Sequence, residues 1–404
     1  MKKVFIIGAG FLQSFIIKKA KEMGYYTLAV DADPDAVGFA YADKYGVVNI
    51  VDSKACLAFA EENSIDGVLT AATEYGVLTA AYIAQEMNLP GLNYASAQIV
   101  KNKYMVRKCL ISNNVDDSCG QAYLVDEDTN ISKVAQKLHY PVMVKPCDGS
   151  GSRGASRVDR PEEFSEAVNY AITNSRSQSI VVEPFIFGKE YGAEALVENG
   201  EIHVLAIMKK KMTEPPYYAE LGHAIPCGLP SDIEEKAKNC VRKAIRALGI
   251  NFSAVNVDML ITDEGKIHIV DIGARMGGNM IGTCVIPYGT GIDYMGEIIK
   301  TSLGETVEID AKPHDNAMSL SKGPVATRLL AFPDGIIKQL PDFEQLERDY
   351  DVEIYHHMKQ GDIVHEYHTN LDGLGYIVAK AETVDKAEDK AETVLDYIRH
   401  YAIV

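Results

Sequence analysis

The alternation of short apolar runs with helical stretches over the first hundred residues constrains this fold most. Val4 to Ile7 is an apolar run, Gly8-Ala9-Gly10 reads as a turn, and Phe11 to Met23 has helical spacing. Tyr26 to Val30 is a second run, ending at Asp31. Gly67 to Leu69 is a third, with a helix through Ala80-Ala81 after it. Successive strands joined by helices close most simply as right-handed parallel crossovers, so the pattern predicts a doubly wound parallel sheet. Pro90-Gly91 then punctuates the chain, and Ser96 is placed to cap a new helix.

From about 101 to 305 the pattern becomes mixed. Strands are predicted at Val142 to Lys145, Ile180 to Glu183, Ile202 to Met208, Asn256 to Ile261 and Ile267 to Asp271, with a helix over 232–248 closed by Gly249. The tail, 309–404, carries short strands near Ala326 to Leu330, Val352 to His356 and Gly375 to Ala379, and a charged helix from Val384 to Tyr401. The expected fold class is α/β followed by α+β, in three units: 1–100, 101–308 and 309–404. A length of 404 residues gives each its own core.

The formal net charge of −17 argues against nucleic acid as a partner, because an acidic surface repels phosphates. The seven cysteines include no C-x-x-C pair, which fits reduced thiols in a reducing cytosol and not a zinc site. Cys147 reads as a small packing residue. MKKVFIIGAG reads as a buried strand and not a signal peptide. No run reaches the roughly 18 apolar residues that span a membrane. A cytoplasmic location with no membrane partner is expected.

Gly8-x-Gly10-x-x-Gln13, with Asp31 further on, has the spacing of a dinucleotide turn. The third glycine, which would permit close helix–strand packing, is Gln13, so a tight turn that binds no NAD is the favoured reading. A second glycine-rich segment is more specific. Lys145 ends an apolar strand, and Gly149-Ser150-Gly151-Ser152-Arg153-Gly154 follows. Such a loop exposes backbone N–H groups to polyphosphate oxygens, and the lysine adds a point charge. No GK[ST] follows, so this is not a Walker loop. In Glu183-Pro-Phe-Ile186-Phe-Gly-Lys-Glu190, a strand ends at a proline turn suited to reading an adenine edge through the backbone, with Glu190 placed for ribose hydroxyls. Asp258 and Asp271 stand on two apolar strands joined by Asp263-Glu264-Gly265-Lys266, a hairpin turn that brings both carboxylates to one face. Paired hard oxygens beside phosphates suit Mg²⁺ (or Mn²⁺). Arg275 follows, able to hold a phosphoryl group or a carboxylate.

Taken in order, these motifs resemble the ATP-grasp superfamily over most of the chain. The resemblance implies a pre-ATP-grasp Rossmann-like unit at 1–100, an ATP-grasp unit at 101–308 with a mobile lid about 112–187, and a small C-terminal α+β unit. The last is similar, through Gly373-Leu-Gly375-Tyr-Ile-Val-Ala-Lys380, to the biotin-carboxylase and purine-ligase branches. It further implies that Lys103 and Lys145 contact ATP phosphates and that the 149–154 loop closes over them. Glu183 and Ile186 would meet adenine, Glu190 ribose, Asp258 and Asp271 the metal, and Arg275 an acyl-phosphate. Four positions depart from the family: Asp where Glu is common at 258 and 271, Gly273 where Asn is common, and Asn102 where Asp is common. The loss of that Asn, and Glu220 with His223 in Tyr217-Tyr-Ala-Glu220-Leu-Gly-His223, resemble the L-amino-acid ligase branch, in which a Glu and a His at this place line the substrate site.

The implied activity is ATP-dependent, ADP-forming ligation of a small-molecule carboxylate to an amine through an acyl-phosphate, on amino-acid substrates. The alternatives are a purine-pathway or carbamoyl-phosphate-synthase-like enzyme, an NAD-dependent oxidoreductase and a non-catalytic nucleotide-binding protein. A homodimer through the N-terminal region is a family expectation.

Overall fold

A computed structural model describes residues 1–117, 121–149, 151–215, 217–309, 322–369 and 372–402. The first unit is a parallel sheet of β1 (Lys3–Ile7), β2 (Tyr26–Asp31), β3 (Lys44–Val47) and β4 (Gly67–Leu69), in the order β3-β2-β1-β4. Val4, Phe5, Ile6 and Ile7 are all fully buried, which explains why β1 reads as a continuous apolar run without alternation. The strand order reverses between β1 and β4. In open α/β sheets, ligands bind off the carboxyl ends of the strands at such a reversal. Here the loops concerned are 8–10 and 70–76.

The first of those loops is already filled. The Gln13 side chain donates from Nε2 to the Ala71 carbonyl at 2.7 Å, and a Cβ on Gly10 would meet Gln13 Oε1 at 2.9 Å. Asp31 accepts from the Ala9 amide at 2.8 Å, so the carboxylate that would meet a ribose instead ties the turn.

A small antiparallel sheet follows: β5 (Tyr123–Val125), β6 (Val142–Pro146), β7 (Ser156–Val158) and β8 (Ile180–Pro184), ordered β5-β8-β6-β7 and covered by the helix Phe164–Thr173. The large sheet contains β9 (Lys189–Glu198), β10 (Glu201–Met212), β11 (Glu220–Ile225), β12 (Ser253–Ile261), β13 (Ile267–Gly273) and β14 (Val325–Leu329). A short ribbon of β15 (Gly335–Ile336) and β17 (Ile363–Val364) sits apart from it. β16 (Val352–His356) and β18 (Gly375–Lys380) complete the large sheet, whose order is β13-β12-β9-β10-β11-β14-β18-β16. The strands of the tail therefore extend the central sheet, joined where Ala224 and Ile225 pair with Ala326 and Val325.

Three local expectations need correction. Ser96 caps nothing: the Tyr94–Val100 helix is capped by Asn93, whose side chain accepts from the Ala95 amide, and Ser96 donates to the Gly249 carbonyl at 2.8 Å. β9 was not expected, yet it runs through the middle of the large sheet. Residues Gly192 to Val197 of β9 are all buried, so no period-two pattern marks them. β11, which carries Glu220 and His223, is likewise a strand that no expectation covered. By contrast, the Ser231–Ala247 helix ends as anticipated, with Gly249 at φ +67° just beyond it.

Candidate active site

A cleft of about 1040 Å³ opens where the three sheets meet. The β12–β13 hairpin lies along one wall. Asp258 and Asp271 are direct cross-strand partners, and the turn between them is closed by Thr262 and Lys266, with Gly265 at φ +71°. Both carboxylates border the cleft and each has a lysine. Lys103, at the start of the Lys103–Ser112 helix, pairs with Asp271. Lys210 on β10 approaches Asp258 at 2.8 Å, Glu220 at 2.6 Å and Glu190 at 3.2 Å.

One ammonium cannot balance three carboxylates. Burial, with Glu220 and Glu190 adding to it, pushes the Asp258 carboxyl up to about 6 against the pull of Lys210. Glu220 is also buried but is held down to about 2, mainly by Lys210. Asp271 is partly exposed to the cleft, and Lys103 and Lys145 hold it below the usual carboxylate range. Lys210 itself is raised by Asp258, Glu220 and Glu190 despite its burial.

Of Lys209-Lys210-Lys211, which the sequence left undecided, the middle residue faces the carboxylates. Its neighbours pair with Glu388 at 2.5 Å and Glu392 at 2.7 Å on the Val384–Ala402 helix. Alternation along a strand sends neighbours to opposite faces, but only the fold says which face is the cleft.

Opposite the hairpin, Lys145 at the end of β6 reaches Glu183 of β8 at 2.5 Å and the Val270 carbonyl at 3.2 Å. Arg107 approaches Glu183 at 2.9 Å, and the two cations hold Glu183 down to about 2 in spite of its burial. Ile186 and Glu190 line the same end of the cleft, as do Gly149, Gly151 and Ser152. Ser150 lies outside the described residues. Gly154, at φ +74°, sits behind the loop against Pro146 and Asn174 and does not line the cleft. Ser152 donates to the Tyr218 carbonyl at 2.9 Å and Arg153 to the Tyr75 hydroxyl at 2.8 Å, so the loop is held from both sides.

Arg275, Glu220 and Asn279 also line the cleft. Asn279 donates to Glu220 and accepts from Tyr376 of β18 at 3.2 Å. His223 does not border the cleft. It is 1% exposed on β11, behind Glu220, and burial drives its imidazole down to about 4, so it is neutral. Its Nδ1 has no hydrogen-bond partner among the described residues.

Sequence reasoning missed Glu74. This residue follows β4 and meets Arg275 at 2.6 Å across the cleft. The signal was its place after a strand at the reversal of strand order.

A strand-ending lysine with a glycine loop above a two-acid hairpin defines a nucleotide-dependent enzyme of the ATP-grasp type. A model of the ATP-grasp domain matches residues 138–283, and one of the L-amino acid ligase C-terminal domain 2 matches residues 328–401. The chain thus carries an ATP-grasp domain and is similar to ATP-grasp ligases. The structure of L-amino acid ligase from Bacillus licheniformis superposes with a TM-score of 0.84 at 22% identity, over 98% of each chain. That of phosphoribosylglycinamide synthetase from Anaerococcus prevotii gives 0.75 at 26% identity, again over 98% of each. An uncharacterised protein of Sinorhizobium fredii is 24% identical over 396 residues, covering 95% of this chain and 79% of its own length.

Proposed function

We infer that this ligase joins a carboxylate to an amine on amino-acid substrates, through an acyl-phosphate and with release of ADP. The observation that carries the reading is the cross-strand pair Asp258 and Asp271, each held by its own lysine, between the glycine loop and Arg275.

The residues fit Mg-ATP. Among the described residues no three His, Cys, Asp or Glu side chains form a metal site by themselves. Two carboxylates then suit a cation whose remaining ligands are phosphate oxygens and water. Asp258 and Asp271 would hold Mg²⁺ (or Mn²⁺), which neutralises phosphate charge when bound. Ile186 and Glu183 would border adenine and Glu190 the ribose. Lys103 and Lys145 would meet the phosphates under the loop that carries Gly149, Ser150, Gly151, Ser152 and Gly154.

Arg275 holds the substrate carboxylate as it attacks the γ-phosphorus, and Lys145 spreads the charge that develops. The loop, tied to Tyr218 and Tyr75, keeps water from the acyl-phosphate. Glu220, kept ionised, orients the amine of the second substrate, and the proton lost on attack leaves with the departing phosphate. His223 acts through Glu220 as a positioning residue, because it does not reach the cleft.

A purine-pathway ligase is the second reading, favoured by the 26% identity to phosphoribosylglycinamide synthetase. The deciding experiment measures ADP release from ATP with a panel of paired amino acids, and separately with phosphoribosylamine plus glycine. Release that needs two amino acids supports the first reading. Release only with the phosphoribosyl amine overturns it.

A further inference from the structure

The N-terminal unit does more than pack against the cleft. We propose that it delivers Glu74 as a positioning residue for Arg275, and that Gly273 is glycine so that Glu74 can enter. This rests on the ligase reading, and it assigns a role to a side chain outside the matched ATP-grasp region.

Three observations carry it. First, the Arg275 guanidinium has its Glu74 contact at 2.6 Å and a bond from Nη1 to the Met276 carbonyl at 3.2 Å, whereas Nε is buried without an acceptor among the described residues. Arg275 is therefore aimed by Glu74 with donor capacity left over. Asp258 and Asp271 also attract Arg275. Without Glu74, the bond to the Met276 carbonyl and the pull of Glu194 remain, and the guanidinium is freer to turn towards these acids and occupy their oxygens.

Second, a Cβ built at Gly273 falls well inside van der Waals distance of Glu74 Oε1, and within 3.3 Å of the Arg275 guanidinium carbon. The space a side chain would fill is taken by the Glu74 carboxylate. Gly273 has no left-handed backbone that would call for glycine, so the close approach explains the residue.

Third, the loop that carries Glu74 is stitched to the Arg275 segment by its backbone. Ala71 forms a parallel bridge with Met276, and the Ala72 amide donates to the Met276 carbonyl at 3.1 Å. Gln13 secures Ala71 from the other side at 2.7 Å. The residue that spoils the dinucleotide fingerprint thus anchors the loop that presents Glu74.

The test is a cycle of Glu74→Ala, Gly273→Ala and the double variant. Calorimetry reads the affinity of inorganic phosphate for protein saturated with MgADP. Each single variant is expected to weaken phosphate by about tenfold, the scale of one charge-assisted contact, and Gly273→Ala to add nothing once Glu74 is gone. MgADP affinity itself stays within about twofold, which separates mispositioning from misfolding. Additive losses, or unchanged phosphate affinity in Glu74→Ala, overturn the proposal. Wild-type protein that binds MgADP but no phosphate overturns it as well. Protein that binds both ligands yet releases no ADP with any substrate pair overturns the ligase reading alone.

Discussion

The chain has two glycine-rich turns that follow buried strands, and they have opposite fates. After β1, Gly8 to Gly10 is closed over by Gln13 and tied by Asp31. After β6, Gly149 and Gly151 border the cleft. Glycine spacing is much the same signal in both. What differs is the nearby polar side chains: in the first turn Gln13 folds back over the glycines and Asp31 takes up the Ala9 amide, and in the second the ties, Ser152 to Tyr218 and Arg153 to Tyr75, run outward to neighbouring elements. A glycine loop becomes a phosphate site only where no side chain of the chain itself already fills it.

This contrast breaks most visibly at the open turn's hairpin wall. Asp271→Asn is expected to reduce ATP turnover by at least about a hundredfold, the scale of losing a metal or phosphate-charge contact, with little change in melting temperature. Steady-state ADP release and a thermal melt check both halves, and near-normal turnover removes Asp271 from the metal site.

The next effect is acid sensitivity beside the same turn. Glu183 is held at about 2, below its unfolded value of 4.5, so its stabilisation is full above that unfolded value and is lost as pH falls from about 4.5 to about 2. Wild type should lose up to about 3 kcal/mol more over that window than Glu183→Gln, read by urea unfolding at stepped pH. Parallel pH profiles would contradict the ion pairs with Lys145 and Arg107.

The smallest effect belongs to the closed turn. Asp31→Ala removes one buried acceptor and should cost about 1 kcal/mol of stability while leaving ADP affinity unchanged. A loss of ADP binding would mean that the first turn, too, serves the nucleotide.

Much of the fold was legible because its signals are local. The hairpin from Asp258 to Asp271 carries its own turn, Gly249 marks a helix end, and β1 shows its burial as an unbroken apolar run. β9 was illegible for the same reason that makes it central: it is covered on both sides by layers drawn from elsewhere in the chain. In the site, Lys145, Asp258, Asp271 and Arg275 announced themselves by sitting at strand ends or on paired strands. Lys210 did not, since three consecutive lysines are equivalent until the sheet assigns them faces. Glu74 did not either, because its partner lies some two hundred positions away and the gap that admits it is the absence of a side chain at Gly273. His223 was conspicuous in sequence, yet burial takes it away from the cleft.

The lysine triplet of β10 links two places that the chain visits far apart. Lys210 is aimed among the cleft carboxylates, while Lys209 and Lys211, one peptide unit to either side, are moored to Glu388 and Glu392 of the closing helix. The Val384–Ala402 helix thus braces the strand on both sides of the lysine that meets the cleft carboxylates, although only its first turn, at Val384 and Asp385, borders that space.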